Sequence, residues 1–356
     1  MGAVVLGLAL AVVACDEGGA VILNDDVGLP PPTPYAGPAS DVDGRVEALL
    51  SQMTLDEKAG QMTMAGWTSL ASTDDITNAR LGALGGAPED LDANDWLAIT
   101  ATARTKAAAT RMGIPLIFAI DSVHGNGKVR GATIFPHNIG LGCTGDPALV
   151  REVFAATGAE VADLGLSLSE SPDVDVGRDL RWGRSYESFG EDPAFVSEMA
   201  TAAVTGTQTA VLACAKHAIG AGGTSWGTGA HSGIDEGDAR ISDDEMRRVH
   251  LPPFRAAVSA GVQTIMVSYS EWQGTRMCIS GHWLTDVLKG ELGFDGIVMT
   301  DGGGVLLVGP DIDEDVFLAV SAGIDLVNVA APYEKVIDAI VGRVEKGDLP
   351  MSRVDD

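Results

Sequence analysis

Four short apolar runs in this chain of 356 residues end in reactive side chains. LIFAID ends in Asp121, VLACAKH in Lys216 and His217, TIMVSY in Tyr269, and GIVMTD in Asp301. A fifth segment, RDLRWGRSYES, carries Arg184. Three glycines, Gly302 to Gly304, follow Asp301 and leave its carboxylate uncovered. An Asp after a strand also serves as a helix N-cap, so the neighbours decide its reading. A carboxylate gathered with Lys, His and Arg stays ionised at neutral pH, and the same donors suit the hydroxyls of a neutral polyol. Trp67, Trp182, Trp226 and Trp272 lie near these segments. Such rings either stack on sugar faces or fill the core.

Other motifs fail on context. Gly140-Leu-Gly142-Cys-Thr-Gly145 fits the spacing of a dinucleotide loop. The helix after it is already capped by Asp146 with Pro147 at its first position, so a carboxylate stands where a pyrophosphate would bind; a tight glycine turn is expected. Gly223-Thr-Ser225-Trp-Gly227 lacks the strand and helix of a nucleophile elbow and reads as a loop. Asp311, Asp313 and Asp315 begin like a calcium loop, but Val316 and Ala322 occupy the required Gly and Glu positions. They read as an acidic helix start. The six His show no paired metal spacing, so neither a metal nor a cofactor is implied.

The elements that must position these groups alternate. Apolar strand candidates occur at 62–66, 81–84, 116–121, 166–170, 211–216, 264–269, 296–301 and 325–329. Helical stretches lie at 93–111, 146–164, 193–208, 242–260, 281–291 and 332–346, after an amphipathic start on Val42, Val46, Leu49, Leu50 and Met53. Thr54 and Glu57 have the spacing of a capping box. Near-continuous apolar strands between helices indicate buried parallel strands. Reactive groups at strand C-termini are the habit of a closed (β/α)8 barrel. The predicted architecture is α/β, a (β/α)8 TIM-type barrel over 42–356.

Composition narrows the function. With 23 Lys+Arg against 50 Asp+Glu, the formal charge is −27. Nucleic-acid and polybasic membrane-surface roles are excluded, because both need clustered cations. Of four cysteines, Cys143, Cys214 and Cys278 have small or apolar neighbours and are expected to be buried thiols. Residues 3–14 form an apolar run of signal-peptide length ending at Cys15 in a lipobox-like VVAC. The expectation is a signal peptide over 1–15 with lipidation at Cys15, then an acidic and Pro-rich linker over 16–41. Export to the bacterial envelope, with membrane contact only through that anchor, follows.

Longer runs carry a resemblance. AIDSVHGNGKVRGATIFPHNIGLG, DLRWGRSYESFGEDP, CAKHAIGAGGT, GIDEGDARIS, HLPPF, IMVSYSEWQG, LGFDGIVMTDGGG and AGIDLVNV, in that order, resemble the N-terminal catalytic barrel of glycoside hydrolase family 3. The likeness is to its β-glucosidase and exo-β-glucanase branch. It implies a retaining exo-hydrolase that removes glucose from non-reducing ends of β-linked gluco-oligosaccharides. It further implies Asp301 as nucleophile, with Asp121, Arg184, Lys216 and His217 on hydroxyls of the terminal sugar. Met266 and Tyr269 are implied as the wall beside Asp301.

Two departures stand out. Gly302 replaces the Trp that the family places after its nucleophile. The acid/base Glu of this branch belongs to a second α/β sandwich domain, and no residue here is assigned that role. A chain truncated at its C-terminus, with the missing domain as partner, is the expectation. The β-N-acetylhexosaminidase branch, which uses a loop His, is an alternative, although KHAIGAGGT lacks its PGHGD core. A glucan-binding surface lipoprotein without catalysis is another.

Overall fold

The computed structural model describes residues 41–88 and 90–356. The signal-peptide, Cys15 and linker expectations fall outside them, except for Asp41. No described helix is long and apolar enough to cross a membrane.

The helices before the barrel start where side chains satisfy free backbone donors. Asp41 caps α1 (Val42–Leu50), its carboxylate accepting from Gly44 N–H. Thr54 and Glu57 form the expected capping box of α2 (Leu55–Gln61). Glu57 also bonds the Arg111 guanidinium at 2.8 Å, and both side chains are buried. This pair ties α2 to the loop before the third strand, across the N-terminal end of the barrel.

The eight expected strands are all present: β1 (Thr63–Gly66), β2 (Ala83–Gly85), β3 (Ile117–Ile120), β4 (Leu168–Ser169), β5 (Leu212–Ala218), β6 (Thr264–Val267), β7 (Ile297–Thr300) and β8 (Val327–Val329). Each pairs in parallel with its neighbours, and β8 pairs with β1. A bridge between Met299 and Leu326 joins β7 to β8 and closes the ring. The helical stretches fall as expected at Ala93–Ala108, Pro147–Asp163, Pro193–Thr207, Asp243–Ser259, His282–Glu291 and Tyr333–Lys346. Asp146 and Asp192 cap two of them ahead of a Pro, and Asp311 caps the acidic start of Ile312–Ala322.

The interior is layered, as strand geometry requires. Met64, Ala83, Ala119, Leu168, Cys214, Met266, Met299 and Leu326, one from each strand or its edge, form one buried cluster inside the barrel. A second, larger cluster fills the space between strands and helices. Two local expectations are corrected. Cys143 is exposed, because it lies just beyond the C-terminus of the short helix Asn138–Gly142 with its side chain toward solvent. That same helix occupies the first half of the Gly140–Gly145 segment, where a turn alone was expected; only Gly145, with φ +61°, turns left-handed.

Candidate active site

Side chains two residues apart on a strand share a face. Two positions beyond the interior layer, toward the strand C-termini, stand Gly66, Gly85, Asp121, Glu170, Lys216, Ser268, Asp301 and Asn328. The next layer of the barrel is therefore polar. β3, β4, β5 and β7 supply ionisable groups, while β1 and β2 supply only Gly66 and Gly85, where a Cβ would crowd Ser69 and Ala330 or Met64.

The candidate residues form a connected set. Lys216 Nζ lies 2.8 Å from Asp121 Oδ1. His217 Nε2 is 3.0 Å from an Arg184 nitrogen and 3.8 Å from Asp301 Oδ2. Tyr269 donates from its hydroxyl to the Gly302 carbonyl at 2.6 Å, which places it beside Asp301. Asp301 Oδ1 accepts from the Gly302 N–H at 2.7 Å, and the carboxylate remains partly open. It does not cap the following helical turn, Gly304–Leu307, which starts at Gly303. Gly303 has φ +75°, a conformation that bulky side chains avoid, so the chain turns away from the carboxylate. Met266 is buried in the interior layer, below the polar strand ends, while Tyr269 stands above it against Gly302.

A second set of carboxylates, not singled out in the sequence, supports the first. His217 Nδ1 lies 3.0 Å from Asp175 Oδ2 and 3.3 Å from Asp173 Oδ2, and all three side chains are buried. Asp175 also accepts from the His217 backbone N–H at 3.1 Å. These contacts fix the ring so that Nε2 faces Arg184 and Asp301. Glu187 holds Arg184 at 2.6 Å. The three buried groups Asp173, Asp175 and His217 are close enough to share a cation. The contacts within the set already pair His217 with both carboxylates, and Arg184 adds a positive charge nearby. The tryptophans divide: Trp182 is buried and bonds Asp235, while Trp226 is exposed beneath Arg181.

Charge balance follows from this packing. Burial acts to raise the Asp121 pKa, but Lys216 outweighs it and holds the carboxyl below its ordinary value. Lys216 is buried, yet Asp121, Glu170 and Asp301 together keep it firmly protonated. Glu170 has the opposite fate. Burial pushes its carboxyl up to about 7, opposed by Lys216 and aided by the charges of Asp121 and Asp301. Burial likewise lifts Asp175 to about 6, with Asp173 adding to it.

The Glu170 shift has a measurable consequence. In the unfolded chain this carboxyl releases its proton near 4.5, while the folded protein retains it to about 7. The folded state thus binds the extra proton in between, and its stability falls as pH rises through that window. Glu170→Gln cannot ionise, so the loss of stability between pH 5 and pH 8, read from urea midpoints, is expected to be smaller than in the wild type. An unchanged difference would show that Glu170 titrates normally.

Comparison with known proteins adds the context. Residues 54–356 match the model of the glycosyl hydrolase family 3 N terminal domain. The lysosomal beta glucosidase of Dictyostelium discoideum is 32% identical over 88% of this chain and 42% of its own length. The periplasmic beta-glucosidase of Salmonella typhimurium is 31% identical over 88% of this chain and 40% of its own length. Among solved structures, exo-1,3/1,4-beta-glucanase from a Pseudoalteromonas species superposes with a TM-score of 0.82 at 32% identity, covering 93% of this chain and 43% of that one. A Listeria innocua beta-glucosidase mutant in complex with laminaribiose gives 0.75 at 28% identity, over 87% of this chain and 44% of that one. The chain thus spans less than half the length of these relatives. Its closed barrel, its polar strand ends and this agreement over almost every described residue make the chain a member of glycosyl hydrolase family 3, within the N terminal domain of that family.

Proposed function

We propose that this barrel is the sugar-binding and nucleophile-bearing half of a retaining, exo-acting β-glucosidase or exo-β-glucan hydrolase. The observation that carries the reading is Asp301: a partly open carboxylate at the end of β7, with His217, Arg184 and Tyr269 around it and the Lys216–Asp121 pair across the strand ends. The names of the relatives, beta-glucosidases and an exo-1,3/1,4-beta-glucanase, support a β-glucoside as substrate.

In this mechanism an Asp301 oxygen attacks the anomeric carbon as the bond to the aglycone oxygen breaks, giving a glycosyl–enzyme ester. Water then attacks the same carbon, releases Asp301 and leaves the sugar with its original configuration. Lys216 and Asp121 hold hydroxyls on one edge of the ring, Arg184 and His217 on the adjoining edge. The Asp173–Asp175 pair acts through His217 and is a positioning element. The acid that protonates the departing oxygen is assigned to a second domain outside these 356 residues. Delivery to the cell envelope through Cys15 belongs to the same reading, supported by the apolar run at 3–14.

The leaving group tests this division of labour. A 4-nitrophenolate departs without a proton, whereas the sugar alkoxide of cellobiose needs one. General acid help is worth ~10²–10⁴-fold. We expect the 356-residue chain to turn over 4-nitrophenyl β-glucoside at a rate at least about 10²-fold above cellobiose. Equal rates would place an acid inside the chain. Binding of glucose without turnover of either substrate would make it a glucan-binding module.

A further inference from the structure

Asp121 and Glu170 are neighbours at the ends of adjacent parallel strands. The ladder between β3 and β4 pairs Ala119 with Leu168 and Ile120 with Ser169, and the Glu170 N–H donates to the Ile120 carbonyl at 2.9 Å. One step further along, Asp121 stands opposite Glu170, at a strand spacing of about 4.8 Å. Ala119 and Leu168, two residues earlier, both point into the barrel interior. The two carboxyls therefore point the same way, one layer nearer the strand ends. Both line one cavity of about 610 Å³.

Their partners differ. Asp121 is paired with the Lys216 ammonium at 2.8 Å. Among the described residues, none makes a hydrogen bond or an ion pair with the Glu170 carboxyl. Lys216, Lys128, Asp121 and Asp301 act on it only as charges at a distance. Polar groups withdrawn this far from water are nearly always hydrogen-bonded, and an exception that faces a cavity points to a ligand. A packing role would favour an apolar side chain here, because a desolvated carboxyl without a partner costs stability. Burial keeps a proton on Glu170 up to about 7, and a protonated carboxyl is donor and acceptor together. A neutral hydroxyl satisfies both halves.

We propose that Glu170 is a further sugar-binding residue: it takes a hydroxyl of the terminal glucosyl unit next to the one that Asp121 holds, and makes the pocket select for that hydroxyl. The proposal rests on the β-glucosidase reading above, in which Asp121 and Lys216 hold one edge of the same ring. A sugar that reaches Asp121 from the cavity has Glu170 one strand away. A glucosyl ring carries hydroxyls on successive carbons, so a second one falls to Glu170.

The test measures kcat/KM on 4-nitrophenyl β-glucoside and its 2-, 3-, 4- and 6-deoxy analogues, for the wild type, Glu170→Leu, Glu170→Ala and Glu170→Gln. Leu and Ala both remove the carboxyl but differ in volume, so a variant that packs badly leaves the other to be read. Each should lose about 10-fold on the parent glucoside, the size of one hydrogen bond. Neither should lose anything on the one deoxy analogue that lacks the hydroxyl concerned. Glu170→Gln keeps a donor and an acceptor and should stay close to the wild type. A merely structural role would not give this pattern, because a displaced Lys216 or Asp121 costs every substrate alike. Equal losses on all five substrates, or no loss on any, would overturn the proposal and leave the β-glucosidase reading intact. No turnover of the parent glucoside by the wild type would remove that reading and the proposal with it.

Discussion

Asp301→Ala is expected to lower turnover of 4-nitrophenyl β-glucoside by at least ~10⁴-fold, since losing a covalent nucleophile removes the route itself. The choice of an activated substrate matters, because its leaving group does not depend on an acid. The effect then reports on the first covalent step alone. Added azide should restore part of the rate in this variant and give the inverted glycosyl azide, as a small anion fills the space of the lost carboxylate. Near-normal rates in Asp301→Ala would place the nucleophile elsewhere, and a loss without azide rescue would point to a collapsed site. Far-UV and near-UV spectra matching the wild type separate that collapse from chemistry.

The second large effect concerns stability. Arg111→Met is expected to destabilise the fold by about 3–5 kcal/mol, because it leaves the Glu57 carboxylate buried without its partner. Glu57 and Arg111 side chains are each only 3% exposed, so solvent cannot replace the lost contact. The double variant Arg111→Met with Glu57→Gln should lose less than the two single losses combined, since no uncompensated charge remains. Urea midpoints measure all three. A loss in Arg111→Met below about 1 kcal/mol, typical of an exposed pair, would show that water reaches Glu57. The pair sits at the end of the barrel opposite Asp301, so any folded fraction should retain its turnover per molecule.

The fold was legible because its signals are local. LIFAID, TIMVSY and GIVMTD are short apolar runs bounded by helices with their own caps, and each became a barrel strand. The polar strand ends pointed to the right face, since no core strand has a packing reason to finish in Asp, Lys or Tyr. What escaped was mostly non-local. Asp173 and Asp175 stand in an apolar loop, and their meaning depends on His217, some 40 residues later, folding back on them. Nothing in their own spacing announces that contact. Glu170 is different: it ends the expected strand 166–170 as Asp121 ends its own, and period two places it in the same polar layer. The same rule applied to β4 would have found it. Cys143 misled because apolar neighbours in sequence do not bury a residue at a helix end.

The central claim is that Asp301 forms a covalent bond to the sugar. Incubation with 2,4-dinitrophenyl 2-deoxy-2-fluoro-β-glucoside tests it most directly. The fluorine slows both steps by destabilising positive charge at the anomeric carbon, while the leaving group keeps the first step the faster of the two, so the ester accumulates. Peptide mass mapping of the labelled protein should find one fluoroglucosyl group on the peptide containing Asp301, and none in Asp301→Ala. A label on Asp121 or Glu170 instead, or turnover of the reagent with no labelled protein at all, would contradict the account.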